Sequence, residues 1–365
     1  MRSLSVLTVL ALAGAAWAAD PDKEGFVPMF NGKDLSGWVN VNTHPKTFFV
    51  KEDMIITTGR PTGYMRTDKQ YENFIAEFDW MHIPNKPGAV GNSGFFVWAD
   101  PIPAVGTGYT RGIEVQVLVN LTYKNDKGQI TATSQGDLFS IWGATCVPDR
   151  PHPNGSQRCL PKEDHCKGEK EWNHYRVVAK DGRIELSVNG HEVSGVSKCS
   201  PRKGYLALES EGSECRFKNL MIKELSSTNP KPEEVAKVSE GHVSLFNGID
   251  LDGWTHYTPP GIEEKKGWKA GGEKLIAGGT TYLSTEKEFG ACELVFDWKL
   301  PAKAAEASCV VEVCGKMYDV KLSEKTKPGG WHREMIKVAN GGKAPIRFLP
   351  KEGLELMNVF IRELK

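Results

Sequence analysis

The run GIEVQV (residues 112–117) holds the side chains best placed to do chemistry. On a β-strand, Glu114 and Gln116 project to one face and Ile113, Val115 and Val117 to the other. With the apolar set in a core, the carboxylate and amide look onto an open or concave surface. There an acid can move a proton while a neighbouring amide orients the reacting molecule. The competing account is an ordinary solvated strand face. Upstream, GNSGFFVW (91–98) puts Asn92 at a Gly-flanked strand entrance, where small polar residues approach a ligand closely or simply shape a turn. Trp98 and Trp142 are candidates to stack on the C–H face of a sugar ring, and burial in a core is the alternative for each. Asp137 lies near a loop end in QGDLF, and Arg111 directly precedes the GIEVQV strand. Glu114 and Gln116 are thus the candidate catalytic pair; Asn92, Arg111, Asp137, Trp98 and Trp142 are the candidate binding residues around them. Other chemistries lack their signatures: there is no G-x-S-x-G elbow, no H-E-x-x-H and no phosphate-cradling glycine loop. His174, which opens a strand, reads as structural.

The elements that must hold these residues have a period of two. FIAEFDWMHI, SGFFVW, GIEVQVLV, HYRVVA, RIELSVN and YLALES are short runs of β-branched and aromatic residues separated by Gly, Pro, Asn and Asp. Asp181-Gly182 and Asn189-Gly190 fall between such runs, as tight hairpins require. No convincing 3.6-residue period is sustained anywhere. The pattern predicts an all-β chain of two-sheet antiparallel sandwiches.

It predicts two of them. MFNGKDLSGW (29–38) recurs as LFNGIDLDGW (245–254), AEFDW (76–80) as LVFDW (294–298), and FKNLMIKEL (217–225) as MNVFIREL (357–364). Three landmarks in one order mean a repeated fold. The expected organisation is a first copy at 26–225, an exposed Pro-, Lys-, Glu- and Ser-rich linker at 226–242, and a shorter second copy at 243–365. Aligned by sequence, Asn92 falls on Ala307, Glu114 on Asp319 and Gln116 on Lys321, so the second copy is expected to be non-catalytic. Bracing the first copy, binding carbohydrate and mediating assembly are roles open to it.

With 46 basic and 46 acidic side chains in 365 residues, nothing in the charge balance favours nucleic acid. The 39% hydrophobic content is enough for cores, and the 38 Gly and 21 Pro suit a turn-rich β protein. Residues 1–18 read as a secretory signal: an Arg near the start, an apolar run, then Ala16-Trp17-Ala18 as a cleavage site. No later stretch has the roughly 18 consecutive apolar residues of a membrane span. The mature chain is therefore expected to be exported, to a periplasm or the extracellular space. There its eight cysteines are expected to pair in part, with Cys146, Cys159 and Cys166 stapling a polar loop rather than binding a metal.

FNGKDLSGW, FDW with NSGFF, GIEVQVL, GDLF, EWNHYRVVAKDGRIELSVNGHEV and GYLALESEG with FKNLMIKEL together resemble the 3-keto-disaccharide hydrolase domain family. The resemblance covers nearly all of the first copy and, more weakly, the ends of the second. It implies a concanavalin A-like jelly roll acting on 3-keto-glycosides, oxidised di- or oligosaccharides made by a separate upstream sugar oxidoreductase. A C3 ketone acidifies the C2 proton, so one base can remove it and expel the C1 substituent. That route needs no pair of carboxylates of the kind retaining glycosidases hold. Gln116, not a second acid, follows Glu114 at the next position on its face. Asn92, Arg111 or a bound divalent metal ion would stabilise the enolate. Glu209 and Glu211 stand where many members of the family carry a Gln and a His. A lectin-like carbohydrate-binding protein and a purely structural repeat are the alternatives to an enzyme.

Overall fold

The computed structural model describes residues 24–120, 135–152, 157–304, 308–322 and 328–364. The expected leader at 1–18 lies outside them, as does Ala307. Among the described residues the chain forms two antiparallel β-sandwiches of jelly-roll type in tandem.

In the first sandwich, Phe74–Ile83 shows how the alternation works. Phe74, Ala76, Phe78 and Trp80 enter the core, while Glu77 and Asp79 face outward. This strand lies at the centre of a nine-stranded sheet, paired on either side with Asn173–Lys180 and Glu214–Glu224. The opposing seven-stranded sheet runs in the order Arg158–Cys159, Leu138–Ile141, Gly112–Val119, Gly91–Ala99, Tyr205–Ser210, Gly63–Thr67, Trp38–Val41. Ile113, Val115, Val117 and Val119 point between the sheets into the shared core. Asp181 (φ 51°) with Gly182 (φ 74°), and Asn189 (φ 48°) with Gly190 (φ 88°), take the left-handed conformations that the tight hairpins demand.

The second sandwich repeats the plan with six- and five-stranded sheets around its own core, centred on Leu294, Phe296, Trp298 and Phe348. A third apolar cluster joins the two halves. Val295 and Phe360, on the outer face of the six-stranded sheet, pack with Val41, Tyr64, Phe96, Ala99, Tyr205 and Ala207 on the outer face of the seven-stranded sheet. The second copy is thus seated on the sheet that carries Glu114.

Residues 226–242 are held along the first sandwich: Ala236 N–H donates to Lys203 O (2.7 Å), Lys237 N–H to Asp100 Oδ1 (3.0 Å) and Ser239 N–H to the Tyr205 hydroxyl (2.8 Å). One expectation needs correction: the disulfide staple is not formed, for all eight cysteines are free thiols. Cys146, Cys159 and Cys199 turn into the first core, and Cys166 packs against it near the Tyr175 hydroxyl. These sulfurs contribute apolar packing, as buried cysteine commonly does.

Candidate active site

The outer face of Gly112–Val119 forms the floor of a cavity of about 300 Å³. Glu114, Gln116 and Leu118 come from this strand, and Asn92 from the neighbouring one. Tyr109, Phe139, Ile141, Trp142, Arg158 and Glu211 complete the wall. Glu114 is only 6% exposed, yet it lies on the cavity side, with its apolar neighbours on the core side as their alternation requires. Gln116 is fixed: Nε2 donates to Asn92 Oδ1 (2.8 Å) and to Ser93 O (3.2 Å), while Oε1 accepts from Arg158 Nη2 (3.4 Å).

Two more acids arrive from beyond Gly91–Ala99, Glu209 on the strand Tyr205–Ser210 and Glu211 just past its end. Sequence reasoning paired Glu114 with an amide and no second carboxylate, which is correct along the strand and wrong across the sheet. Glu209 is fully buried, and Glu211 follows on the same face. Gly94 makes room for them. A Cβ there would sit 2.9 Å from Glu114 Oε1 and 3.1 Å from Glu209 Oε2, so the two carboxyls fold over one bare point of backbone. Glu211 accepts from the Tyr109 hydroxyl (2.7 Å) and from Asn92 Nδ2 (2.5 Å). Among the described residues, the Glu209 carboxyl has no side-chain partner other than the Glu211 carboxyl, and two carboxyls can hydrogen bond only when one is protonated, here Glu209 donating to Glu211.

The electrostatics follow from this crowding. Burial, then the Glu211 charge, push Glu114 well above the carboxylate range, and Arg158 pulls it back in part. Burial and the charges of Glu211 and Glu114 do the same to Glu209. Burial also raises Glu211, opposed by its Tyr109 hydrogen bond; Glu273 of the second sandwich, which accepts Thr62 N–H at 2.8 Å, adds to the negative field there. Burial first, and Glu211 second, raise the Tyr109 phenol, keeping it a donor. Like-charged groups in one dry hollow cannot all ionise.

Among the described residues, Arg158 is the cation lining this cavity. Asp137, fully buried, faces its Nε at 3.1 Å, and the Phe139 ring lies 4.0 Å beneath its guanidinium. Asp137 therefore acts behind the wall, orienting Arg158. Trp142, 52% exposed, stacks on Tyr109 with ring centroids 6.2 Å apart and planes at 10°. Its φ of 49° is unusual for a bulky residue and costs roughly 1–2 kcal/mol. The indole stands in solvent beside the cavity.

Two expected residues are elsewhere. Trp98 is fully buried in the core with its Nε1–H donated to Glu72 O (2.8 Å), out of reach of any ligand in this cavity. Arg111 is held by two hydrogen bonds to Asp100, Nε to Oδ2 (2.9 Å) and Nη2 to Oδ1 (3.0 Å), and does not line the cavity. The cation that does, Arg158, was missed. It lies among the cysteines of a polar loop whose long-range partners no local pattern reveals. Tyr109 was missed for the same reason. Among the described residues, no group of three or more His, Cys, Asp or Glu is arranged to hold a metal ion.

The ladders also correct the alignment of the two copies. Glu114 faces Phe96, which faces Ala207, while Met317 faces Glu312, which faces Arg347. Ala207 and Arg347 occupy the same place opposite Arg66 and Ser284. Met317 therefore stands in the place of Glu114, Asp319 in that of Gln116 and Ser308 in that of Asn92. The sequence alignment was displaced by two residues for both strand residues. A two-residue slip leaves the facing of a strand unchanged, so alternation could not detect it. The reason is the connection: a twelve-residue loop joins the strands in the first copy, and a turn at Cys314-Gly315 joins them in the second.

The family match agrees with a sugar-related reading. A search of curated proteins finds none that matches. Among solved structures, the chain is similar to a candidate glycosyl hydrolase from Parabacteroides distasonis at 24% identity, over 56% of this chain and 96% of that one, with a TM-score of 0.43. It is similar to a carbohydrate-binding module, CBM66 from Bacillus subtilis, at 12% identity over 52% and 97%, with a TM-score of 0.37. The 3-keto-alpha-glucoside-1,2-lyase-like domain family matches residues 25–223 and again 241–333, one segment in each sandwich. The chain belongs to the 3-keto-alpha-glucoside-1,2-lyase-like domain family.

Proposed function

We propose that the chain is an exported carbohydrate-active enzyme that cleaves 3-keto-glycosides by elimination across C1 and C2, followed by addition of water. Glu114, as the carboxylate, takes the C2 proton, and the electron pair moves to the C3 carbonyl oxygen. Raising its pKa makes the deprotonated form a stronger base, and the Arg158 charge keeps that form accessible. The enolate then re-forms the ketone as the C1–O bond breaks, leaving a C1=C2 double bond. The departing oxygen needs a proton, which the Glu209–Glu211 pair carries. Arg158 supplies positive charge for the enolate, and Gln116 and Asn92 hold substrate hydroxyls. Water adding at C1, with the proton returned to C2, completes the net hydrolysis. Substrate would come from an oxidoreductase acting on the C3 hydroxyl.

The observation that carries this reading is the convergence of Glu114, Arg158 and the two amides in one cavity of a chain from this family. Replacing Glu114 by Gln tests it: turnover of a 3-keto-glucoside is expected to vanish with the fold intact. Unchanged turnover removes Glu114 from the mechanism. A lectin-like, binding-only function has one feature in its favour, the solvent-exposed Trp142–Tyr109 stack. It predicts saturable sugar binding with no product.

A further inference from the structure

We infer that Asp297, Asn358 and Trp331 of the second sandwich are positioning residues for the first-sandwich site, acting through the loop that carries Tyr109. This rests on the functional reading above only for its catalytic readout.

The loop leaves the strand Gly91–Ala99 and returns into Gly112–Val119. Its tip is gripped from the second copy. Asp297 Oδ2 accepts Gly106 N–H at 2.9 Å, and Asn358 Nδ2 donates to Thr107 O at 2.9 Å. Asn358 Nδ2 also reaches Asp297 Oδ2 (2.6 Å), and Arg333 clamps the same carboxylate with Nε to Oδ1 (2.7 Å) and Nη2 to Oδ2 (2.9 Å). Asp297 is fully buried, and the two Asn358 bonds operate out of water. Gly106, at φ 73°, lies against the Trp331 ring: a Cβ would come within 2.4 Å of Trp331 Cγ. The tip therefore has one seat. Three residues beyond Gly106, Tyr109 donates to Glu211 and stacks on Trp142.

The repeat supplies an internal control. Asp79 in the first copy is bonded by His174 Nδ1 (2.8 Å) and Asn219 Nδ2 (2.7 Å). His174 faces Asp79 across the ladder as Arg333 faces Asp297. Asn219 (φ 53°) and Asn358 (φ 50°) sit in matching bulges. In the first copy this Asp–Asn pair opens on a cavity of about 310 Å³ beside Phe26 and Met221. Among the described residues, the first sandwich thus keeps the pair without a seated loop, and the second copy uses it to hold one.

Asn358→Ala removes the grip from one side and Gly106→Ala from the other; Asn219→Ala removes the equivalent amide where no site depends on it. Hydrogen exchange across residues 104–110, and the pH profile of 3-keto-glucoside cleavage, are the readouts. Asn358→Ala and Gly106→Ala are expected to speed loop exchange at least tenfold. They are also expected to cut kcat by roughly tenfold, a modest misplacement effect. Losing the Tyr109 bond raises Glu211 further, so the limb of the profile that follows it moves to higher pH. Asn219→Ala is expected to match the parent in both. The proposal is overturned if loop exchange is unchanged in both Asn358→Ala and Gly106→Ala, or if Asn219→Ala produces the same changes. Should the parent cleave no keto-glycoside, the functional reading fails, and the exchange measurement still decides this one.

Discussion

The two sandwiches share landmarks and differ in what lies between them. Both keep the FNG-DL-GW entry, the FDW strand and the closing strand, and both place an Asp–Asn pair at a bulge on the outer face. Among the described residues, only the first carries the long connections that bring Tyr109, Trp142 and Arg158 to the open face of its smaller sheet, with Asp137 behind Arg158. In the second the Glu114 position is an exposed Met317, and Asp319 stands in the place of Gln116. Framework residues solve a packing problem common to both copies. The acids of the first solve none, and burying them beside one another costs stability. Such groups are kept where they are used, and loops are where use accumulates.

Several substitutions would break or sharpen that contrast. The largest effect is expected for Glu114→Gln, a loss of roughly 10²–10⁴ in kcat, the usual worth of a general base, with no loss of thermal stability. Arg158→Gln is expected to cost about 10²–10³ in kcat with a small change in KM, because its charge matters most when the enolate forms. Trp142→Ala is expected to raise KM about tenfold and spare kcat, as loss of a stacking face does. If kcat falls instead, the indole is not merely a platform.

Glu209→Gln separates function from stability. A carboxyl whose pKa is raised in the fold is best tolerated when protonated, so its contribution holds at low pH and is lost as pH rises through the folded value. The variant is expected to melt a few degrees above the parent at pH 9 and nearly with it at pH 4, while turnover falls. His82 has the opposite sign. Burial lowers it to about 4, and its ring contacts Val117 O and Glu214 O. The parent should therefore lose stability as pH drops from about 6.5 towards 4. The smallest effect is expected in the second copy, where Met317→Ala changes neither kcat nor unfolding measurably.

The sequence made the strand alternation, the repeat and the hairpins legible because each is local or periodic. Glu114 and Gln116 could be placed on one face for the same reason. Glu209 lay in an ordinary-looking YLALES strand, and its approach to Glu114 depends on Gly94 between them, a cross-sheet relation that no single strand displays. Arg158 and Arg111 are both basic residues near strands, and only long-range packing gives one a carboxylate behind the cavity wall and the other a salt bridge away from it. Trp98 and Trp142 both have positive φ; one is buried under Glu72 and the other is exposed beside Tyr109. The two-residue slip in the alignment of the copies arose where a long loop answers a tight turn.

The most direct measurement incubates the protein with a 3-keto-α-glucoside in D₂O and follows the released keto-sugar by mass spectrometry and proton NMR. Elimination through Glu114 predicts release with deuterium at C2, absent in Glu114→Gln. Release that persists unchanged in Glu114→Gln would contradict the account, as would binding of the intact glycoside without release.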